Sequence, residues 1–341
     1  MRVLVTGHHG YIGSVTVPAL LRAGHEVVGL DSFYYEGCDF VEAVPPVAER
    51  RLDVRRVRSS DLQGFDAVVH LAALSNDPLG ALNPTLTEEI NFRAAAALAA
   101  GARSAGVSRF LFASSCSMYG AADVSRPVDE QAPLAPLTEY ARSKVRTEEA
   151  LRDLADESFT PVFMRNATAY GVSPRLRVDI VVNNLTGWAC TTGQVRILSD
   201  GTPWRPLVHV QDIAAATVAL LDAPRELVHC EAFNVGGRDE NYQIADVADI
   251  VRAAVGSCEI ELAGNGDPDN RSYRVDFRKL AEALPQLSLR WSVERGATEL
   301  AEAYRAANLT LEEFQGRRYT RLKQLQHLLD TGELSPELHW Q

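Results

Sequence analysis

The stretch RVLVTGHHGYIGS at positions 2–14 constrains the fold more than any other part of the chain. A short apolar run ends at Gly7, and residues of helical period follow from Tyr11 to Ala23, where Gly24 stops them. A strand that turns through glycines straight into a helix opens a β-α-β unit, and HEVVGLD supplies its second strand. FDAVVHLAA, SRFLFASS and PVFMRNA read as further buried strands, the first two separated by the alanine-rich helix NFRAAAALAAGARSAG. Apolar strands alternating with helices predict an α/β fold with a doubly wound parallel sheet, covered on both faces and crossed over with one hand.

The pattern loosens after Asn166, where Pro174, Gly187, Gly193, Gly201, Pro203 and Pro206 interrupt it. PLVHVQDIAAATVALLDA and EAFNVGG read as strand-helix-strand elements returning to the main sheet. NYQIADVADIVRAAV reads as a helix with Ile244, Val247, Ile250 and Val251 on one face. The expected organisation is a Rossmann-type domain over 1–165 to which 206–236 returns. A smaller C-terminal α/β substrate lobe takes 166–205 and 237–300, and a charged helical appendage, 301–341, packs on that lobe. A chain of 341 residues buries a core of this size.

Composition removes several classes of function. The net charge of −11 argues against nucleic acid and anionic membrane surfaces, which need a basic footprint. The five cysteines (Cys38, Cys116, Cys190, Cys230 and Cys258) are odd in number and lack C-x-x-C spacing, which fits a reducing cytosol better than a disulfide framework or a zinc ribbon. The histidines are scattered, with no H-x-x-x-H set, and no metal site is expected. No apolar run reaches membrane-spanning length and RVLVTG opens the chain directly, so a soluble, cytoplasmic protein is expected.

In the opening loop, Gly7 permits the tight turn, Gly10 lets the backbone approach a pyrophosphate, and Gly13 lets the helix pack close to the sheet. The helix N-terminus then favours phosphate through its N–H groups and its dipole. Asp31 closes the second strand about twenty residues on, where a carboxylate accepts from ribose hydroxyls and repels a 2′-phosphate. Ser32, Phe33, Tyr34 and Tyr35 offer no arginine for such a phosphate, so NAD is expected over NADP. Asp53 and Val54, after the next strand, are candidates for the adenine end.

Tyr140 and Lys144 in EYARSK stand four residues apart and share one helical face. An ammonium near a phenol favours the phenolate, and such a phenol can take a proton from a substrate hydroxyl while hydride leaves its carbon. Upstream, SSCSMYG follows the strand SRFLFA, placing serine hydroxyls at the carboxyl edge of the sheet, where open α/β sheets bind ligands.

Together TGHHGYIG, Asp31, HLAA, SSCSMYG and YARSK resemble the extended short-chain dehydrogenase/reductase family, which includes NAD-dependent nucleotide-sugar epimerases and dehydratases. The resemblance runs through about Asp276. It implies Ser115, with Ser114 beside it, as the triad hydroxyl, Tyr140 as acid and base, and Lys144 as the residue holding the nicotinamide ribose and tuning the tyrosine. It places Tyr11, Ile12, Leu71, Ala72 and Ala73 along the cofactor, with Asn91 as a support. VVNNL puts Asn183 and Asn184 at a nucleotide-diphosphate sugar, while WRPLVHVQD and DNRSYRVD put Arg205 and Arg271 on its phosphates. Arginine forks suit bidentate phosphate binding.

Departures from the family pattern bear on the reaction. The 4,6-dehydratases of the family carry an Asp-Glu pair where this chain has Cys116 and Ser117, neither a good acid or base for eliminating water. The decarboxylase branch likewise has a glutamate in this run. Thr168 stands where epimerases have asparagine, with Asn166 two residues earlier as a substitute, and Ser75 and Asn76 either face substrate or cap a turn. The expected function is an NAD-dependent nucleotide-sugar epimerase working through a transient keto-sugar. A ketoreductase or dehydrogenase, or an atypical dehydratase, is the alternative on the same fold. A non-enzymatic NAD-binding regulator has no need for Ser115, Tyr140 and Lys144 together. A homodimer is expected, with the alanine-rich and Tyr140 helices paired across a two-fold axis.

Overall fold

Twelve strands occur among the described residues of the computed structural model, which are 1–41, 45–75, 83–262 and 271–341. They are β1 (Arg2–Thr6), β2 (Glu26–Asp31), β3 (Ala48–Arg51), β4 (Ala67–His70), β5 (Arg109–Ser115), β6 (Thr160–Asn166), β7 (Thr168–Tyr170), β8 (Gln194–Ile197), β9 (Trp204–His209), β10 (Ala232–Val235), β11 (Asn241–Gln243) and β12 (Glu259–Leu262). Seven of them form the main sheet in the order β10-β6-β5-β4-β1-β2-β3. Every neighbouring pair is parallel. β4 and β6 are buried at every position, which is why their sequences are apolar runs rather than alternations.

The Gly13–Arg22 and Val210–Asp222 helices cover one face, burying Val17, Leu20, Ile213 and Leu220 against Val3, Val5 and Leu111. The Ala94–Ser104 and Glu139–Leu154 helices cover the other, burying Leu98, Ala102 and Leu151 against Leu4, Val68 and Phe110. The strand order reverses between β1 and β4, opening a crevice at the strands' carboxyl ends. A π-helical turn, Glu88–Arg93, leads into the alanine-rich helix. Such turns concentrate at functional positions, and this one carries Asn91.

Beside the crevice lie two small sheets, β11-β9-β7 and β12-β8, packed with the Val181–Thr192, Ile244–Val255 and Val293–Ala306 helices around Leu185, Val247, Val251 and Leu300. Here β9 differs from expectation. The position beside β6 is taken by β10, and β9 pairs instead with β7 and β11.

The C-terminal segment also differs. Tyr304, Phe314 and Tyr319 join the core of the smaller lobe, but Leu325, Leu328, Leu334 and Leu338 join the core beneath Leu30 and Val54 of the main sheet. The chain therefore crosses from one unit to the other, because its last helix carries its own apolar stripe. No helix among the described residues is long and apolar enough to cross a membrane.

Candidate active site

The glycine loop is fixed by close backbone contact. Gly7 has φ +73°, and a Cβ there would lie 2.7 Å from the Ala72 nitrogen. A Cβ on Gly13 would lie 2.2 Å from the Gly7 carbonyl oxygen. The helix that starts at Gly13 has no side-chain cap and no acidic residue in its first turn, the condition in which a helix N-terminus receives an anion. Asp31 braces this loop: Oδ2 accepts from the His9 N–H at 3.0 Å, and Oδ1 accepts from the Phe33 N–H at 2.8 Å.

Around the loop runs a cleft that brings together Gly7, Gly10, Tyr11, Ile12, Gly13, Asp31, Asp53, Val54, Leu71, Ala72 and Ala73. A second cleft shares Ile12, Leu71, Ala73, Ser75 and Arg177 with it, so the two are one groove. The second part brings together Ser115, Ser117, Tyr140, Lys144, Asn166, Thr168, Asn184, Arg205 and Arg271. Ser115 caps the turn after β5, accepting from the Ser117 N–H at 3.1 Å and donating to Ser117 Oγ at 3.0 Å. Arg205 Nη1 donates to the Arg271 carbonyl, holding the two arginine segments together on one wall. Asn166 Oδ1 is buried without a hydrogen-bond partner among the described residues.

Lys144 lies one helical turn from Tyr140, its Nζ 5.5 Å from the Tyr140 ring centroid and donating to the Ala113 carbonyl at 2.7 Å. Burial pushes its pKa down to about 7, a fall that Glu148 only partly opposes. Beneath it, burial and the Lys144 charge push His70 down to about 3, so this imidazole is neutral at pH 7 and adds no charge to the site. Its Nδ1 shares a 2.7 Å hydrogen bond with Thr6 Oγ1.

Three sequence candidates do not reach the groove. Cys116 is fully buried, with Sγ donating to the Arg165 carbonyl at 3.1 Å, and burial holds its thiol far above the ordinary range. Asn183 is fully buried as well: Oδ1 accepts from the Gly171 N–H, and Nδ2 donates to the carbonyls of Gly171 and Arg177. Asn91 Oδ1 accepts from the Leu74 N–H at 2.8 Å and Nδ2 donates to the Leu74 carbonyl at 3.0 Å, which supports the groove wall from behind. Asn76 lies outside the described residues.

Several residues at the site were missed in the sequence. Arg177 stands where the two clefts meet, paired with both oxygens of Asp179 at 2.9 and 3.0 Å and donating to Ser75 Oγ at 3.3 Å. Arg175 pairs with Asp39 and donates to the His9 ring at 2.9 Å. Arg321 reaches the cofactor cleft from the C-terminal segment. The R-L-R-V-D run at 175–179 was a signal, since two arginines and an aspartate in five residues suit an anion site; Arg321 offered none. Among the described residues no group of histidine, cysteine and acidic side chains could hold a metal ion.

Residues 3–236 match the model of the NAD dependent epimerase/dehydratase family. The chain belongs to that family. It is 31% identical over 289 residues to the UDP-glucose 4-epimerase of Corynebacterium glutamicum, covering 79% of this chain and 85% of the relative. The structure of the Thermus thermophilus UDP-glucose 4-epimerase in complex with NAD superposes with a TM-score of 0.76 at 26% identity, covering 90% of this chain and 100% of that one. That of an NAD-dependent NDP-hexosamine 5,6-dehydratase of tunicamycin biosynthesis superposes with a TM-score of 0.79 at 25% identity, covering 89% and 98%.

The family's dinucleotide, NAD, fits the groove on this chain's own geometry. Side chains are excluded at Gly7 and Gly13 by backbone contact, which keeps the turn tight and the helix N-terminus close to the sheet, and Gly10, between them, lines the cleft without a side chain where a pyrophosphate would approach. Arg177 and Arg321 line the same cleft, and Asp31 ends β2 with no arginine among Ser32–Tyr35.

Proposed function

We propose that the chain is an NAD-dependent nucleotide-sugar epimerase that oxidises one ring hydroxyl to a ketone and reduces it again from the other face. The observation carrying this reading over dehydration is the scarcity of acids and bases in the groove. Among the described residues, Asp179 is the one carboxylate lining the chemistry cleft. Burial raises its pKa, but Arg177 more than offsets this and keeps it ionised below the ordinary carboxylate value. With Cys116 sealed in the core, the described residues of the cleft offer no second carboxylate to pair with Asp179 for eliminating water.

NAD, when bound, supplies a hydride acceptor that becomes the donor for the return step. The chain supplies the rest. Tyr140 takes the proton from the sugar hydroxyl and gives it back to the ketone oxygen, with Ser115 holding that oxygen. Lys144, half charged near pH 7, favours the phenolate and binds the nicotinamide ribose. Asn184, Arg205 and Arg271 hold the diphosphate. Asn166 and Thr168 face the sugar, Asn166 with its unpartnered oxygen. Gly10, Tyr11, Ile12, Leu71, Ala72 and Ala73 line the dinucleotide, and Asp31, Asp53 and Val54 hold its adenosine end. Residues 1–165 with 210–236 act as the NAD domain, and 166–209 with 237–300 as the substrate lobe, β9 belonging to the latter. Free cysteines support a cytoplasmic enzyme, and the homodimer would pair the 94–104 and 139–154 helices of two copies across a two-fold axis.

UDP-glucose, the substrate named for the epimerase relatives, is the first probe. Incubated with the protein, it should yield its 4-epimer with no net absorbance from NADH. Stoichiometric NADH would turn the reading towards a dehydrogenase, and a product lighter by one water would turn it towards a dehydratase, the activity of one structural neighbour.

A further inference from the structure

Arg321 opens the Arg321–Asp330 helix and is 2% exposed. Its Nη2 donates to the Arg175 carbonyl at 2.7 Å, and its guanidinium lies 4.2 Å from the Tyr35 ring centroid. Nη1 has no hydrogen-bond partner, and no carboxylate pairs with this side chain among the described residues. The nearby carboxylate, Asp179, is taken at both oxygens by Arg177. Burial lowers the affinity of the Arg321 guanidinium for its proton, yet the group stays charged at any physiological pH. A buried charge with no counter-charge is costly, and proteins keep one where a ligand completes it.

The cavity beside Arg321 is the cleft lined by Gly7, Gly10 and Gly13. We propose that Arg321 binds the pyrophosphate of the dinucleotide, so that the C-terminal segment closes the anion site which the glycine loop opens. This rests on the assignment of the cleft to NAD. Two observations favour the pyrophosphate over a 2′-phosphate. Arg321 is joined through the Arg175 backbone to a side chain that contacts His9 inside the glycine loop, and Asp31 stands on the ribose side with a charge that repels a 2′-phosphate.

The same segment is stitched to the adenosine end of the cleft. Tyr34 Oη donates to the Leu338 carbonyl at 2.6 Å, Trp340 Nε1 donates to the Ser32 carbonyl at 2.6 Å, and Gln324 Nε2 donates to the Tyr34 carbonyl at 3.3 Å. Docking of residues 321–341 and binding of the cofactor are therefore linked, each favouring the other.

The test uses full-length protein freed of bound nucleotide, titrated calorimetrically with NAD, NADP, ADP and adenosine. In Arg321→Gln, affinity for NAD and ADP should fall by about tenfold or more. Affinity for adenosine and the preference for NAD over NADP should not change, and Arg321→Lys should recover part of the loss. The ligand-free Tm of Arg321→Gln should match or exceed that of the wild type, because a costly buried charge has gone. Hydrogen exchange in the wild type supplies a reading that needs no variant: the 321–330 helix should gain protection when NAD binds. Unchanged NAD affinity in Arg321→Gln, an equal loss for adenosine, a loss confined to NADP, or unchanged exchange in that helix would each overturn the proposal. Wild-type protein that bound no NAD would overturn the cofactor assignment beneath it.

Discussion

Arg165 Nη2 donates to Glu148 Oε2 at 2.8 Å, while Ser114 Oγ donates to Glu148 Oε1 at 2.6 Å. One buried carboxylate thus ties the helix carrying Tyr140 and Lys144 to the ends of β5 and β6, next to Ser115. Arg165 Nη1 extends the tie to Tyr119 Oη and the Glu130 carbonyl. The relative position of phenol, ammonium and serine rests on this network.

Breaking the pair should therefore cost more than an exposed ion pair would. Arg165→Met leaves the buried Glu148 with only a long 3.4 Å contact from the partly exposed Arg152 and the Ser114 hydroxyl, and urea denaturation should show a loss of about 3–5 kcal/mol. Adding Glu148→Gln to that variant should restore part of it, because no unpaired charge remains. A loss below 1 kcal/mol, the range of surface pairs, would show that the network is not what holds the helix against the sheet.

Tyr140→Phe removes only the phenolic hydroxyl from the helix that this network holds. Epimerase turnover should fall by about 10²–10⁴-fold, the usual contribution of a positioned acid–base group, while NAD affinity stays within about twofold. Steady-state rates and calorimetry check the two halves separately. Turnover close to wild type would remove Tyr140 from proton transfer.

The last two glycines of the loop should fail in different ways. At Gly13 an added Cβ meets backbone at 2.2 Å and cannot be accommodated by a side-chain shift, so Gly13→Ala should destabilise the ligand-free protein by about 1–3 kcal/mol. At Gly10 the one atom crowded among the described residues is the Gly7 oxygen at 3.2 Å, a far milder contact, so Gly10→Ala should cost the ligand-free protein less than Gly13→Ala. Its methyl would instead obstruct the pyrophosphate, and NAD affinity should fall by more than tenfold. Equal stability losses in both variants would contradict this division.

These contrasts also show what could be read from the chain. The main sheet was legible because β1, β2, β4, β5 and β6 are short apolar runs bounded by glycine or polar residues, and a local pattern suffices to name a buried strand. The glycine loop and the Tyr140–Lys144 pair were legible for the same reason, since each motif sits within one element. β9 was misplaced because an apolar strand does not say which neighbour it pairs with, and β10 occupies the position beside β6. Cys116 and Asn183 sit within motifs that face the groove, but their side chains turn inward, a distinction made by packing alone. Arg321 stands 144 residues from Arg177 in sequence, and no periodicity links an arginine on a charged helix to a distant cleft.

The depressed pKa of Lys144 gives the last expectation a definite sign. In the unfolded chain this lysine titrates near 10.5, and burial lowers it to about 7 in the fold. Between those values the unfolded state holds a proton that the fold has released, so this group makes stability rise with pH from about 7 to about 10.5. Below pH 7 both states are protonated and the buried ammonium costs its full penalty. Urea denaturation at several pH values should show this slope in the wild type and its loss in Lys144→Met. The chain has three lysines, Lys144, Lys279 and Lys323, so spectra of protein carrying 13Cε-labelled lysine resolve them individually. The Lys144 signal should titrate near pH 7 in the NAD-free protein. A midpoint close to 10.5 would mean that water reaches Nζ, and the ammonium beside Tyr140 would then carry no penalty for the active site to use.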